Sequence, residues 1–171
     1  MQKTYLCIDL KSFYASVECV ELGLDPFKVN LVVADPTRGG GAITLAATPA
    51  IKKLGVSSRG RIFEIDPKIE YMIAPPRMHL YMEYSCKVYK VFLEFIAKED
   101  IHVYSIDESF LDVTSYLKLY QVSAKELAKK MLDRIYEKTG LTATVGIGTN
   151  LYLAKIAMDI SAKHNADRMA Y

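Results

Sequence analysis

Two places in the chain set acidic groups where a cation could sit. Asp9 closes the apolar run Tyr5-Leu6-Cys7-Ile8, a pattern that reads as a buried strand ending in a carboxylate. Asp107 and Glu108 lie between two strand-like runs, 101–105 and 109–113, at or beside the turn that joins them. Three carboxylates at strand ends converge only where their strands are neighbours. Without a counter-charge such a cluster repels itself, so a cation is expected. An oxygen-only donor set favours Mg²⁺ or Mn²⁺ over Zn²⁺. Two such ions can activate an attacking oxygen and stabilise a leaving one, the chemistry of phosphoryl and nucleotidyl transfer. Each signal is weak by itself. An Asp-Glu pair in a hairpin is most often a solvated turn, and Asp9 could cap a following helix.

The elements that must position these groups follow from spacing and punctuation. After the first strand, 12–21 carries apolar residues at Phe13, Val17 and Val20, a helical spacing ended by Gly23 and Pro26. Strands are expected over 29–34 and 42–47, separated by a turn containing Gly39-Gly40-Gly41. Thr48-Pro49 is a helix N-cap followed by proline at the first position, and Gly55 is a stop. Short apolar pieces at 62–65 and 69–74 precede Pro75-Pro76. A long helix is then expected over about 78–97, with Leu80, Tyr84, Val88, Val91, Phe92 and Phe95 on its apolar face. The capping box of Ser123 and Glu126 opens a helix closed by Gly140. A strand over 142–147 and a last helix over 151 to about 162 complete the chain. The order is βα, an inserted ββα region, then αββαβα. Without the insertion this is a ferredoxin-like split β-α-β sheet, an α+β fold, with helices on one face.

Composition narrows the class. A chain of 171 residues that is 51% hydrophobic and 25% charged can bury one substantial core, or one core with a small lobe. It is too apolar to be disordered. The net charge of +2 says little about partners, so a nucleic-acid role must rest on where the cations sit. Cys7, Cys19 and Cys86 form no C-x-x-C pair, and a reducing, cytoplasmic setting is the default expectation. No stretch approaches the roughly 20 apolar residues of a membrane span, and no signal peptide is expected.

With these segments in place, the sequence resembles the Y-family DNA polymerases of the UmuC and DinB kind, the UmuC branch most. Ile8-Asp9-Leu10-Lys11-Ser12-Phe13-Tyr14-Ala15-Ser16-Val17-Glu18 is similar to that family's D-x-x-x-F-[YF]-A-S-V-E motif. Ser105-Ile106-Asp107-Glu108-Ser109-Phe110-Leu111-Asp112 is similar to its S-I-D-E-x-F-L-D motif. Gly146-Ile147-Gly148-Thr149-Asn150-Leu151-Tyr152-Leu153-Ala154-Lys155-Ile156-Ala157 is similar to its G-I-x-x-N-x-x-x-A-K-x-A motif. Three motifs in the right order are a specific signal, and the resemblance covers essentially the whole chain.

The resemblance implies a palm split over 1–34 and 77–171, with inserted fingers over 35–76. It implies translesion, error-prone DNA synthesis by two-metal-ion transfer from a dNTP to a primer 3′-hydroxyl, within the DNA-damage and SOS response. Asp9 and Asp107 would bridge two Mg²⁺ ions, with Mn²⁺ as a substitute. Glu108 would hold the ion that activates the primer, and the Leu10 carbonyl would complete a metal shell. Tyr14 would be the steric gate against a 2′-hydroxyl, Phe13 would shape the nucleotide pocket, and Lys155 would contact the triphosphate. Primer-template DNA and dNTP are the implied substrates. The replication sliding clamp is an implied partner, reached through later parts of the family's chain.

The fingers depart from the pattern. Where many members carry Tyr-x-x-Arg-x-[FL]-G, this sequence has Pro49-Ala50-Ile51-Lys52-Lys53-Leu54-Gly55. Lys52 takes the arginine place, or Lys53 after a one-residue shift. Either attracts phosphate without the bidentate grip of arginine. Arg59 and Arg61 are equally a template contact or a solvated basic loop. Nothing corresponds to the family's thumb and little finger, so a catalytic fragment, weak or inactive alone, is expected. The alternatives are a nucleotidyl cyclase-like palm enzyme, whose nucleotide-binding hairpin pattern is not found, and a non-catalytic piece that binds DNA or a partner.

Overall fold

The computed structural model describes residues 1–160 and the backbone of Ser161 and of Met169–Ala170. The chain divides into two compact units, Met1–Lys11 with Glu83–Tyr171, and Ser12–Met82.

The first unit is built on a five-stranded sheet of order β5-β6-β1-β7-β8. Its strands are β1 (Tyr5–Leu10), β5 (Ile101–Val103), β6 (Glu108–Asp112), β7 (Ala143–Gly148) and β8 (Met169–Ala170). The motif-bearing β1 lies at the centre, antiparallel to β6 and β7. Alternation along β1 sends its side chains to two different layers. Ile8 and Leu10 line a small space with Val88 and Phe92 of helix α3 (Met78–Leu93), and Asp107 and Ser109 border the same space. Cys7 packs on the other face with Phe110, Ala154 and Met158.

That second face is open to close approach because β7 carries glycines opposite Tyr5 and Cys7. A Cβ on Gly146 would stand 2.1 Å from the Ala154 carbonyl oxygen, and one on Gly148 would stand 2.4 Å from the Ala154 nitrogen. Helix α6 (Leu151–Ile156) therefore presses on bare backbone. Asn150 caps it, its side chain accepting from the Leu153 N–H at 2.8 Å.

Local signals act as their chemistry dictates. Helix α5 (Ala124–Thr139) starts at the full Ser123–Glu126 capping box and ends at Gly140 with φ 74°, a left-handed conformation glycine adopts without strain. It buries Leu127, Met131 and Ile135, each worth about 1.5–3 kcal/mol. Some elements differ from expectation. Helix α3 stops at Leu93 because its last turn tightens to Glu94→Val91 and Phe95→Phe92 bonds. Glu108 opens β6, beside the turn as expected. A seven-residue helix, α4 (Thr114–Tyr120), was not foreseen, since no side chain caps it and it buries no residue. The final helix passes at Ala157 into a wider turn over Ala157–Ser161, and its expected end at Ala162 lies outside the described residues.

The second unit holds a three-stranded sheet of order β3-β2-β4, from β2 (Leu31–Val33), β3 (Ala46–Ala47) and β4 (Met72–Ala74). Helix α1 (Phe13–Glu21) packs on β2 and β3, so it groups with this unit. Val32, Ala47, Ile51 and Ile65 form the unit's core. Thr48 caps α2 (Pro49–Lys52) as its sequence predicts, and its hydroxyl also donates to the Val29 carbonyl at 2.7 Å.

Candidate active site

The antiparallel register of β1 and β6 sets Asp9 directly opposite Glu108. Partners in such a pair project to the same face, the one Cys7 shares two residues earlier. Asp107 precedes Glu108 on the turn. Its carbonyl accepts the Leu10 N–H at 2.8 Å, tying the turn to the end of β1. Its carboxylate accepts from the Ser105 hydroxyl at 2.9 Å. Asp9, Leu10, Asp107 and Glu108 are thus brought to one end of one strand pair.

Glu108 is held by two further groups. Lys155 on α6 reaches its Oε1 at 2.5 Å, and the Cys7 thiol donates to the same oxygen at 3.4 Å. Lys155 also pairs with Asp159 at 3.3 Å and lies over the Tyr104 ring, 5.2 Å from its centroid. Burial works against the Lys155 ammonium, but hydrogen bonds and charge from Glu108 and Asp159 outweigh it and raise its pKa. The Cys7 thiol is pushed far up, first by burial and then by the negative Glu108. It is a neutral donor, not a thiolate ligand.

Among the described residues, no group of three or more His, Cys, Asp or Glu side chains stands close enough to hold a metal as they lie. The donor set nevertheless suits a hard divalent cation: three carboxylates and a main-chain carbonyl at one sheet end. Thr144, opposite Asp9 in β7, keeps a buried hydroxyl with no hydrogen-bond partner, so this face retains unused polar capacity. Glu108 could ligate a cation once Lys155 shares or releases its oxygen.

The remaining expected site residues belong to the second unit. Phe13 is 4% exposed, and Tyr14 beside it is partly buried. The Tyr14 ring stacks on Tyr81, centroids 4.5 Å apart at 17°. Lys52 reaches the Ser12 hydroxyl at 3.0 Å, and Lys53 is exposed. Ser12 itself has φ 47°, a left-handed conformation that costs a non-glycine residue roughly 1–2 kcal/mol.

Sequence reasoning gave no site role to Cys7, Tyr104, Ser105, Glu18, Arg77 or Tyr81. One signal was available for Glu18: an acid amid the apolar Val17, Cys19 and Val20 requires a partner.

Comparison with known proteins follows the same lines. The impB/mucB/samB family model matches residues 8–159. UvrX of Bacillus subtilis (strain 168) is 40% identical over 172 residues, covering 99% of this chain and 39% of the relative. DNA polymerase IV 2 of the same organism is 39% identical over 168 residues, covering 96% of this chain and 39% of the relative. The crystal structure of DinB from Sulfolobus solfataricus superposes with TM-score 0.79 at 28% identity, covering 98% of this chain and 47% of that one. An insertion ternary complex of Dbh DNA polymerase gives TM-score 0.80 at 28% identity, over 98% and 48%. The chain spans less than half the length of each of these four proteins.

Proposed function

The chain belongs to the Y-family DNA polymerases, the impB/mucB/samB family, whose N-terminal palm and fingers region its α+β fold matches; from that premise we propose that it carries the catalytic centre of a translesion polymerase. The observation that carries this reading is the register of Asp9 against Glu108, with Asp107 on the tied turn. Asp9, Asp107, Glu108 and the Leu10 carbonyl are the groups to hold Mg²⁺. Bound divalent ions would supply the charge stabilisation for transfer of a nucleotide from dNTP to a primer 3′-hydroxyl.

The chain's own residues supply the rest. Glu108 would serve as a ligand on leaving Lys155, whose ammonium would then be available to a triphosphate as a point charge. Tyr14 sets the sugar preference, its ring closing the space a 2′-hydroxyl needs. Lys52 would add a phosphate contact, as the resemblance implies. The palm supplied by 1–34 and 77–171 carries the carboxylates, and 35–76 the fingers.

Mn²⁺ titration of the chain followed by nuclear magnetic resonance tests the site. Paramagnetic broadening is expected around 8–10 and 105–109, and Asp107→Ala should abolish it. Primer extension is expected to be weak at low salt and to fade at physiological salt. With a net charge of +2 the chain has little non-specific attraction to a nucleic-acid backbone. Extension that survives Asp107→Ala, or broadening spread evenly over the surface, would sink this reading.

A further inference from the structure

Glu18 on α1 is 3% exposed, yet it carries a charge that burial makes costly unless every oxygen is matched. It is matched closely. Arg77 donates through Nε to Oε1 at 3.0 Å and through Nη2 to Oε2 at 2.7 Å, a bidentate fork. The Tyr81 hydroxyl donates to Oε1 at 2.8 Å.

Tyr81 is itself fully buried. Its ring is the surface on which Tyr14 lies almost parallel, and it meets Phe13 edge-on at 6.4 Å and 62°. A phenol ring has two rotatable bonds, so an anchored hydroxyl fixes its plane, and a parallel stack passes that plane to the neighbouring ring. Tyr14 is partly buried, and the Tyr81 ring lies closest to it and nearly parallel, while Phe13 meets it at 5.6 Å and 47°.

We propose that the Glu18–Arg77 pair is a positioning brace that fixes, through Tyr81, the plane of the Tyr14 ring and with it the strictness of sugar selection. This rests on the reading of Tyr14 as the gate. A purely stabilising role would be served as well by apolar residues, since a buried ion pair seldom adds net stability over a hydrophobic replacement. What the fork and phenol supply in addition is direction. Burial and the adjoining carboxylate raise the Tyr81 pKa well above the ordinary tyrosine value, so the hydroxyl stays a donor.

Two readouts on the intact chain test the brace. The first is the ring-current shift that the Tyr81 face imposes on the Tyr14 ring protons. The second is the ratio of dATP to ATP affinity in Mg²⁺. Tyr81→Phe removes one hydroxyl and keeps the ring, and Glu18→Gln removes the charge. Both should shrink the shift and lower the dATP:ATP ratio by roughly tenfold, the worth of one hydrogen bond to a charged group. Simple loss of stability would weaken both nucleotides together and leave the ratio unmoved. Should Glu18→Gln fail to fold, Tyr81→Phe decides alone. An unchanged shift and ratio in that variant overturns the brace. Tyr14→Ala separates the two ideas. If it leaves the ratio at the wild-type value, the gate reading falls; if the ratio collapses there but holds in Tyr81→Phe, only the brace falls.

Discussion

Glu18 meets a planar guanidinium fork and a phenol, and its side chain is 4% exposed, whereas Glu108 meets one lysine ammonium and a thiol and keeps 12%. Both are ion-paired carboxylates, but their partners differ in kind. The arginine fork matches both oxygens at once and loses geometry if either bond is broken. The lysine is a compact charge on a flexible stem, and a thiol is a weak donor. It is also shared, since Lys155 divides itself between Glu108 and Asp159. Glu18 is built to keep its partners and Glu108 to exchange them. One arrangement suits a scaffold, the other a site that must accept a ligand.

The largest effect should come from breaking the first pair. Arg77→Met leaves the buried Glu18 carboxylate with the Tyr81 hydroxyl but no counter-charge, a loss of about 3 kcal/mol by urea unfolding, at the low end for a broken buried pair because the Arg77 side chain is 48% exposed. Arg77→Lys should recover only part of it, because an ammonium cannot span both oxygens. A loss below about 1 kcal/mol in Arg77→Met would erase the contrast between the two glutamates.

A somewhat smaller effect is expected from pH. Burial, then the nearby Asp25 and Glu18 charges, push the Cys19 thiol from its usual 9.0 up to about 11. The raised value means the folded state holds this proton more tightly than the unfolded one. The contribution is therefore complete below pH 9 and drains away as pH rises towards 11, about 2–3 kcal/mol at most. The Tyr81 phenol, raised mainly by burial, acts in the same direction at higher pH. Cys19→Ala should flatten the slope between pH 9 and 11 while leaving the neutral-pH fold intact. A slope that persists unchanged in Cys19→Ala would place its origin elsewhere.

The smallest effect should come from the second pair. Lys155 is one-third exposed in its side chain, so Lys155→Met should cost about 1 kcal/mol or less. The same change removes the cation that occupies Glu108, and Mn²⁺ should bind more tightly than to the wild type. Weaker Mn²⁺ binding would mean that Lys155 supports the carboxylate geometry instead of competing for it.

Helix α5 shows what was legible in the chain. Its start and stop are decided by Ser123, Glu126 and Gly140, groups within a few bonds of the backbone they satisfy. Thr48-Pro49 and Asn150 act in the same way. The apolar stripe of α3 was legible at Tyr84, Val88, Val91 and Phe92, which are buried, while Leu80 and Phe95 are only partly covered. Helix α4 was not legible. Tyr116 anchors it by donating to Asp100 at 2.6 Å while accepting from the Ala97 N–H, contacts 16 and 19 residues away along the chain.

The same division runs through the candidate site. Asp9, Asp107 and Glu108 stand out in the sequence because strand alternation and a turn set their places, and these are short-range properties of the chain. That Glu108 would rest on Lys155, 47 residues away, depended on β7 having no side chains where α6 presses down. That Glu18 would find Arg77 and Tyr81, 59 and 63 residues on, depended on packing within the second unit. Residue types and spacing determined which groups could act, because caps, turns and strand pleats are decided within a few residues. The tertiary structure alone decided which charge each carboxylate meets, because a buried charge takes whatever partner packing brings within about 3 Å.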